Sequence, residues 1–463
     1  MPAADAAWLH MDRPVNPMVV NSVIWFDEPL DWELVKGVIS RRIVDQFPRF
    51  RRRVADPLGR PPRFEDDAEF DIEQHLHRIA LPAPGDQAAL QELVSDLITP
   101  PLDSTRPLWH AYLIESYGPG CAILFRIHHC IADGIALGRV MLSLTDPEAD
   151  AGIGPPPRSG ASGGRFSLNS ITRPAGAALS AARRVTGTVV HEGLESLARP
   201  AHVAELAGTA SQDAATLAKL LASPPDAHTV LSEPLHGTRR VAWSKPFPLD
   251  RIKTAGRRRS GTINDVLIAA VTGALRTELK RHGDVPDDIH IMVPFNLRPL
   301  DEALPRDLGN DFALILLALP VGIDDRGERL REVKMRMDAI KDSHEGPISY
   351  GILSAIGTTP PAVEDVLIRF FTQKASAVVT NVPGPRKQVY LAGTPVEGVL
   401  IWGPCSGSIG MTVSIFSYMG EVTVGFMADT GLMSDPRPLV DAFDAELREL
   451  CRGTRTRRAP ARA

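Results

Sequence analysis

Residues 121–127 form an apolar run broken only by Arg126, and the run ends at His128-His129-Cys130-Ile131-Ala132-Asp133-Gly134. An apolar stretch this short and this continuous reads as a buried strand. Residues 108–115 pair with it as a hairpin around Gly118-Pro119-Gly120, and residues 135–144 continue as an apolar helix. Side chains alternate faces along a strand, so the two histidines cannot enter one cavity together. His129 shares its face with Ile127, Phe125 and Ile123, whereas His128 faces the other way with Arg126.

Adjacent histidines with an aspartate four positions past the second suit a site that removes a proton from an alcohol or amine. His129 is then the general base and His128 a supporting residue. Asp133 orders the loop by pairing with a cation, for which Arg298 is the candidate, and Gly134 supplies backbone freedom at the turn. The plain structural alternative is a pair of core histidines at a strand end. A metal site is the weaker reading, because no third ligand cluster, His-Glu-x-x-His or paired-cysteine spacing accompanies the pair.

The chain has 463 residues, enough for two or three domains, with 44% hydrophobic and 23% charged residues. A formal net charge of −5 gives no sign of nucleic-acid binding. The four cysteines (Cys121, Cys130, Cys405, Cys451) are widely spaced, which suits a reducing interior, and Cys130 reads as a small apolar filler rather than a nucleophile. The first residues lack a signal-peptide pattern, and no apolar window reaches the ~18 residues of a spanning helix. The expected location is cytoplasmic, with peripheral attachment to the inner membrane face or lipid droplets left open.

Residues 1–150 alternate strands and helices: 18–26 strand, 31–46 helix, 87–97 helix, then the hairpin. The stretch 152–176, with Pro155-Pro156-Pro157 and the glycines of 160–164, is the clearest linker. Residues 177–222 are alanine- and leucine-rich with scattered arginines. They read as a connecting helix pair or as an amphipathic element on a lipid surface. From 229 the mixed pattern resumes. Helices are expected at 262–281, 328–341 and 435–450, and strands at 288–295, 312–320, 376–380, 397–402, 409–418 and 421–428. The division is therefore 1–150, linker 151–228, 229–451, and a basic tail 452–463 read as solvated. This is an α/β chain of two mixed lobes with a shared cleft.

Further pieces accompany the histidine motif: Pro107-Leu108-Trp109, Asn264-Asp265, Val293-Pro294-Phe295-Asn296-Leu297-Arg298, Thr380-Asn381-Val382-Pro383-Gly384-Pro385, and the N-terminal run from Asp5 through Trp8 to Met18. Taken alone, Thr262 with Asp265 three residues on is a capping-box helix start, as good a reading of Asn264 and Asp265 as a catalytic one. Trp109 reads as packing, residues 381–385 as a tight turn, and Arg257-Arg258-Arg259 as an exposed charge run. In order and spacing the set resembles the bacterial wax ester synthase/acyl-CoA:diacylglycerol acyltransferase family, from about residue 5 to about residue 450.

That resemblance implies two chloramphenicol acetyltransferase-like lobes, mixed sheets flanked by helices, with the active site between them. It implies transfer of a long-chain acyl group from acyl-CoA, as co-substrate, to diacylglycerol or a long-chain alcohol, with no permanently bound cofactor. The family's base falls on His129 and its Asn-Asp pair on Asn264 and Asp265. Asn264 is a candidate oxyanion donor, and Arg257 and Arg258 are candidates for the coenzyme A phosphates. Two alternatives stay open: another CoA- or carrier-dependent acyltransferase of the superfamily, and a non-catalytic lipid-binding protein.

Overall fold

A computed structural model describes residues 1–57, 60–150, 223–296, 304–310, 312–341 and 368–452. The linker 152–176, the segment 177–222, Arg298 and the tail from 453 onward lie outside the described residues.

In chain order the described helices are α1 (Ala3–Met11), α2 (Trp32–Ile39), α3 (Gln87–Ile98), α4 (Gly134–Ser143), α5 (Leu249–Arg258), α6 (Ile263–Arg281), α7 (Arg326–Lys341) and α8 (Arg437–Leu450). The strands of the first half are β1 (Val19–Phe26), β2 (Arg52–Ala55), β3 (Arg63–Asp66), β4 (Leu76–Ala80), β5 (Trp109–Tyr117) and β6 (Gly120–His128). Those of the second half are β7 (Arg239–Trp243), β8 (Phe247–Pro248), β9 (Ile289–Asn296), β10 (Phe312–Leu319), β11 (Ala377–Pro383), β12 (Tyr390–Leu391), β13 (Thr394–Pro395), β14 (Gly398–Trp402), β15 (Met411–Tyr418) and β16 (Glu421–Asp429).

The apolar run is the centre of a five-stranded sheet in the order β14-β1-β6-β5-β4, and every residue of β6 is buried. The hairpin β5–β6 forms as the turn residues require, with Gly118 at φ +54°. A second sheet follows the order β10-β9-β11-β15-β16-β7. Its helix α6 starts as the sequence directs. The Thr262 side chain accepts from the Asp265 backbone N–H (3.2 Å), and Asp265 Oδ2 accepts from that of Thr262 (2.7 Å). The expected helix over 31–46 stops being α-helical at Ile39 and continues as a π-turn over Ser40–Val44.

The chain does not divide cleanly at the linker. β14, from the second half, pairs antiparallel with β1, Val23 opposite Leu400. Its Leu400, Ile401 and Trp402 belong to the first half's apolar core, together with Trp243 of β7. Residues 381–383 also differ from the tight turn expected of them. They extend β11 beside β15, because Gly384 lets the chain pass where a Cβ would stand 2.6 Å from a Phe416 ring carbon and from the Ser417 carbonyl.

Candidate active site

β6 delivers the histidine motif to the place where the two halves meet. Its last residue, His128, lies opposite Val19, and the next backbone N–H, that of His129, donates to the Met18 carbonyl (2.8 Å). Four residues later Asp133 turns the chain into α4 by accepting at Oδ1 from the Ala136 N–H (2.8 Å). Asp133 thus orders the loop as a helix cap, a role worth about 1 kcal/mol. Its expected partner Arg298 is outside the described residues. Gly134 does not serve the backbone freedom expected of it: it is the first residue of α4, without a positive φ, and a Cβ there would meet nothing within 4 Å.

The two histidines have different surroundings. His128 accepts the Cys130 N–H at Nδ1 (3.1 Å), so its other nitrogen carries the proton, and that nitrogen lies 3.7 Å from Asp12 Oδ1. His129 is 4% exposed. Its ring stacks on Trp8 (centroids 4.0 Å apart, planes at 28°) and leans on Phe312 at 5.5 Å. Nδ1 of His129 is buried without a hydrogen-bond partner, as is Nε1 of Trp8. Burial holds the His129 pKa down at about 3, so the ring is neutral at neutral pH.

A polar clasp lies beneath the motif. Arg49, 1% exposed, donates to Asp5 Oδ2 (2.7 Å) and to the carbonyls of Cys130 and Ile131 (3.0 Å each). Asp5 Oδ1 accepts from the backbone N–H (2.9 Å) and Nδ2 (2.8 Å) of Asn310, and the same Nδ2 reaches the His129 carbonyl at 2.9 Å. Burial pushes the Asp5 pKa up against the pull of Arg49 and Asn310. Gly309, at φ +119°, bridges to Ala132 and lets residues 308–310 lie against the motif.

Asp5 and Trp8 were visible in sequence only as parts of an N-terminal motif. Arg49 and Asn310 gave no local signal, and neither did α1 itself. Asn264 and Asp265 open α6, where Asp265 completes the capping box and Asn264 Oδ1 accepts from Asn381 Nδ2 (2.8 Å), joining two of the quoted motifs. Arg257 and Arg258 are exposed on the last turn of α5. Trp109 packs as expected: it is 1% exposed, stacks on His75 and donates to the Phe50 carbonyl (2.7 Å). All four cysteines are buried, and among the described residues none forms a disulfide. Among the described residues no helix is long and apolar enough to cross a membrane, and no group of three or more His, Cys, Asp or Glu could hold a metal.

Both halves of the chain match known proteins. Residues 1–267 match the wax ester synthase/diacylglycerol acyltransferase catalytic domain, and residues 308–451 match the C-terminal domain of the same family. The chain is 30% identical over 423 residues to the Mycobacterium tuberculosis H37Rv protein named "Probable diacyglycerol O-acyltransferase tgs1", covering 89% of this chain and 86% of that one. Its fold is similar to the wax ester synthase/diacylglycerol acyltransferase of Marinobacter aquaeolei VT8 (TM-score 0.67, 22% identity, 96% of this chain and 97% of that one). It is also similar to the first condensation domain of the CDA synthetase (TM-score 0.53, 16% identity, 97% and 94%). An α/β chain whose halves meet at the histidine motif, matching both domains in order, is an acyltransferase that belongs to the wax ester synthase/diacylglycerol acyltransferase family.

Proposed function

We propose that this protein transfers a long-chain acyl group from acyl-CoA to the free hydroxyl of diacylglycerol, with His129 as general base. The observation that carries this reading is a neutral imidazole at the end of β6 with Nδ1 still unpartnered. Nε2 would take the hydroxyl proton as the oxygen attacks the thioester carbonyl. The C–S bond then breaks, and the imidazolium returns its proton to the departing thiolate, giving free coenzyme A and the ester. The thioester is already activated, so no covalent acyl-enzyme is needed. General-base assistance of this kind contributes roughly 10²- to 10⁴-fold.

The surroundings of His129 support a water-poor reaction. Trp8 and Phe312 cover the ring, which is 4% exposed. Excluding water prevents hydrolysis of the thioester. Burying a methylene is worth about 0.8 kcal/mol, so a sixteen-carbon chain gains on the order of 10 kcal/mol in an apolar passage. Acceptors this apolar reside in lipid, and the protein would draw them from a membrane or lipid-droplet surface. Exposed Arg257 and Arg258 would meet the coenzyme A phosphates, and Asn264, at the head of α6, is the candidate oxyanion donor.

That a relative 30% identical to this chain is named a diacylglycerol O-acyltransferase supports diacylglycerol as the acceptor. The test offers radiolabelled palmitoyl-CoA to purified protein with dioleoylglycerol and hexadecanol together. Label should pass mainly to triacylglycerol, and His129→Ala should lower transfer to either acceptor by about 10²- to 10⁴-fold while the protein stays folded. Transfer to neither acceptor by wild type would remove the activity, and near-normal turnover by His129→Ala would remove the base.

A further inference from the structure

The carboxamide of Asn310 is engaged at one end and idle at the other. Its Nδ2 donates to Asp5 Oδ1 and to the His129 carbonyl. A carboxylate can only accept, so Asp5 decides which end of the amide is nitrogen, and Arg49 holds Asp5 by its other oxygen. This leaves Asn310 Oδ1 buried without a partner, on a residue 5% exposed. The Nδ1 of His129 is buried without a partner in the same site.

Each of these atoms is costly when left alone, because its lost hydrogen bond to water is not replaced. They are complementary, since an amide oxygen accepts and an imidazole nitrogen carrying hydrogen donates. We propose that Asn310 is a positioning residue whose Oδ1 receives His129 Nδ1–H, fixing the imidazole in that tautomer and leaving the Nε2 lone pair for the acceptor hydroxyl. The assignment rests on His129 being the base. It explains why a residue 305 positions from Asp5 is bonded to it twice: the clasp Arg49–Asp5–Asn310 sets the direction of the amide, and the amide sets the imidazole. Asn310 also raises the His129 pKa against the larger effect of burial, as an acceptor facing that ring must. The backbone carbonyl of His129 itself acts in the same direction and is the competing acceptor.

The test combines kinetics with the ring's own signal. Asn310→Ala should lower kcat by up to about 10²-fold, the cost of a misplaced catalytic group, with KM changed far less. In ¹⁵N-histidine-labelled protein, the His129 ring, assigned by its loss in His129→Gln, should be the Nδ1–H tautomer in wild type and a mixture in Asn310→Ala. Should Asn310→Ala fail to fold, Asp5→Asn keeps the volume but frees the amide to turn, and is expected to mix the tautomers in the same way. A folded Asn310→Ala with wild-type kcat, or with the wild-type tautomer intact, overturns the proposal, because the backbone carbonyl then suffices. Failure of the underlying reading is separate: there His129→Ala itself keeps turning over.

Discussion

One sheet carries two groups of histidines, and they are built to opposite ends. At β4 and β5, His75 Nδ1 bonds the Trp109 carbonyl (2.8 Å) and His77 Nε2 faces His110 Nδ1 (3.0 Å). At the end of β6, His128 Nε2 and His129 Nδ1 have no hydrogen bond. Burial lowers the pKa of His75, His77, His110 and His129 alike, with His110 at about 4 and His129 at about 3. A depressed pKa therefore does not mark the site. What separates the groups is a ring nitrogen fully buried with no hydrogen bond made to it in this structure, held at a meeting of chain segments that are far apart in sequence.

The partnered histidines should be dispensable for turnover. His129→Ala should lose about 10²- to 10⁴-fold in turnover, whereas His110→Asn should keep wild-type turnover in the same palmitoyl-CoA assay. Loss of turnover by a folded His110→Asn would erase the distinction. Next in size is Arg49→Ala, which strands the Asp5 carboxylate and the carbonyls of residues 130 and 131 in the interior. Urea denaturation should show a loss of about 3–5 kcal/mol, the usual cost of breaking a buried ion pair. A change under 1 kcal/mol would mean that Asp5 is uncharged in the fold.

Acid should act on both groups of histidines, with the smallest effect of the three. Because the folded-state pKa values of His129 and His110 lie below the unfolded value of about 6.5, the unfolded chain takes up protons first. Their contribution is intact above that value and is lost as pH falls from about 6.5 toward 4 for His110. His110→Asn should flatten that part of the stability curve, by on the order of 2 kcal/mol. The kcat/KM profile should show no histidine limb between pH 5 and 8, since His129 stays neutral throughout. A limb near 6.5 would place the working base in water.

Local pattern made much of this molecule legible. The buried β6, its hairpin partner, the capped start of α6 at Thr262 and the strands β9, β10, β11, β14, β15 and β16 follow from runs, turns and caps within about twenty residues. What escaped was long-range. Asp5, Arg49 and Asn310 each look like an ordinary polar residue in its own segment, and only the fold brings them under the motif. The crossing of β14 was invisible for the same reason, since nothing in residues 398–402 names β1 as neighbour. Trp8 could have been found: an aromatic three residues past an aspartate, in a segment already singled out, deserved a place in the site. Gly134 was misread because a glycine after Asp133 suggests an unusual turn, while a cap needs only an ordinary first helical residue.

The strand lent by the second half to the first sheet has a practical consequence for dissecting the protein. A fragment cut at the linker would bare the backbone donors and acceptors of Val19–Phe26, an apolar ribbon with no companion on that side. Such a piece would seek another strand from its own kind and aggregate, however intact its histidine motif. Neither half is a free-standing unit that could be swapped between relatives, and exchanging acceptor preference by shuffling would have to carry residues 398–402 along with the first half.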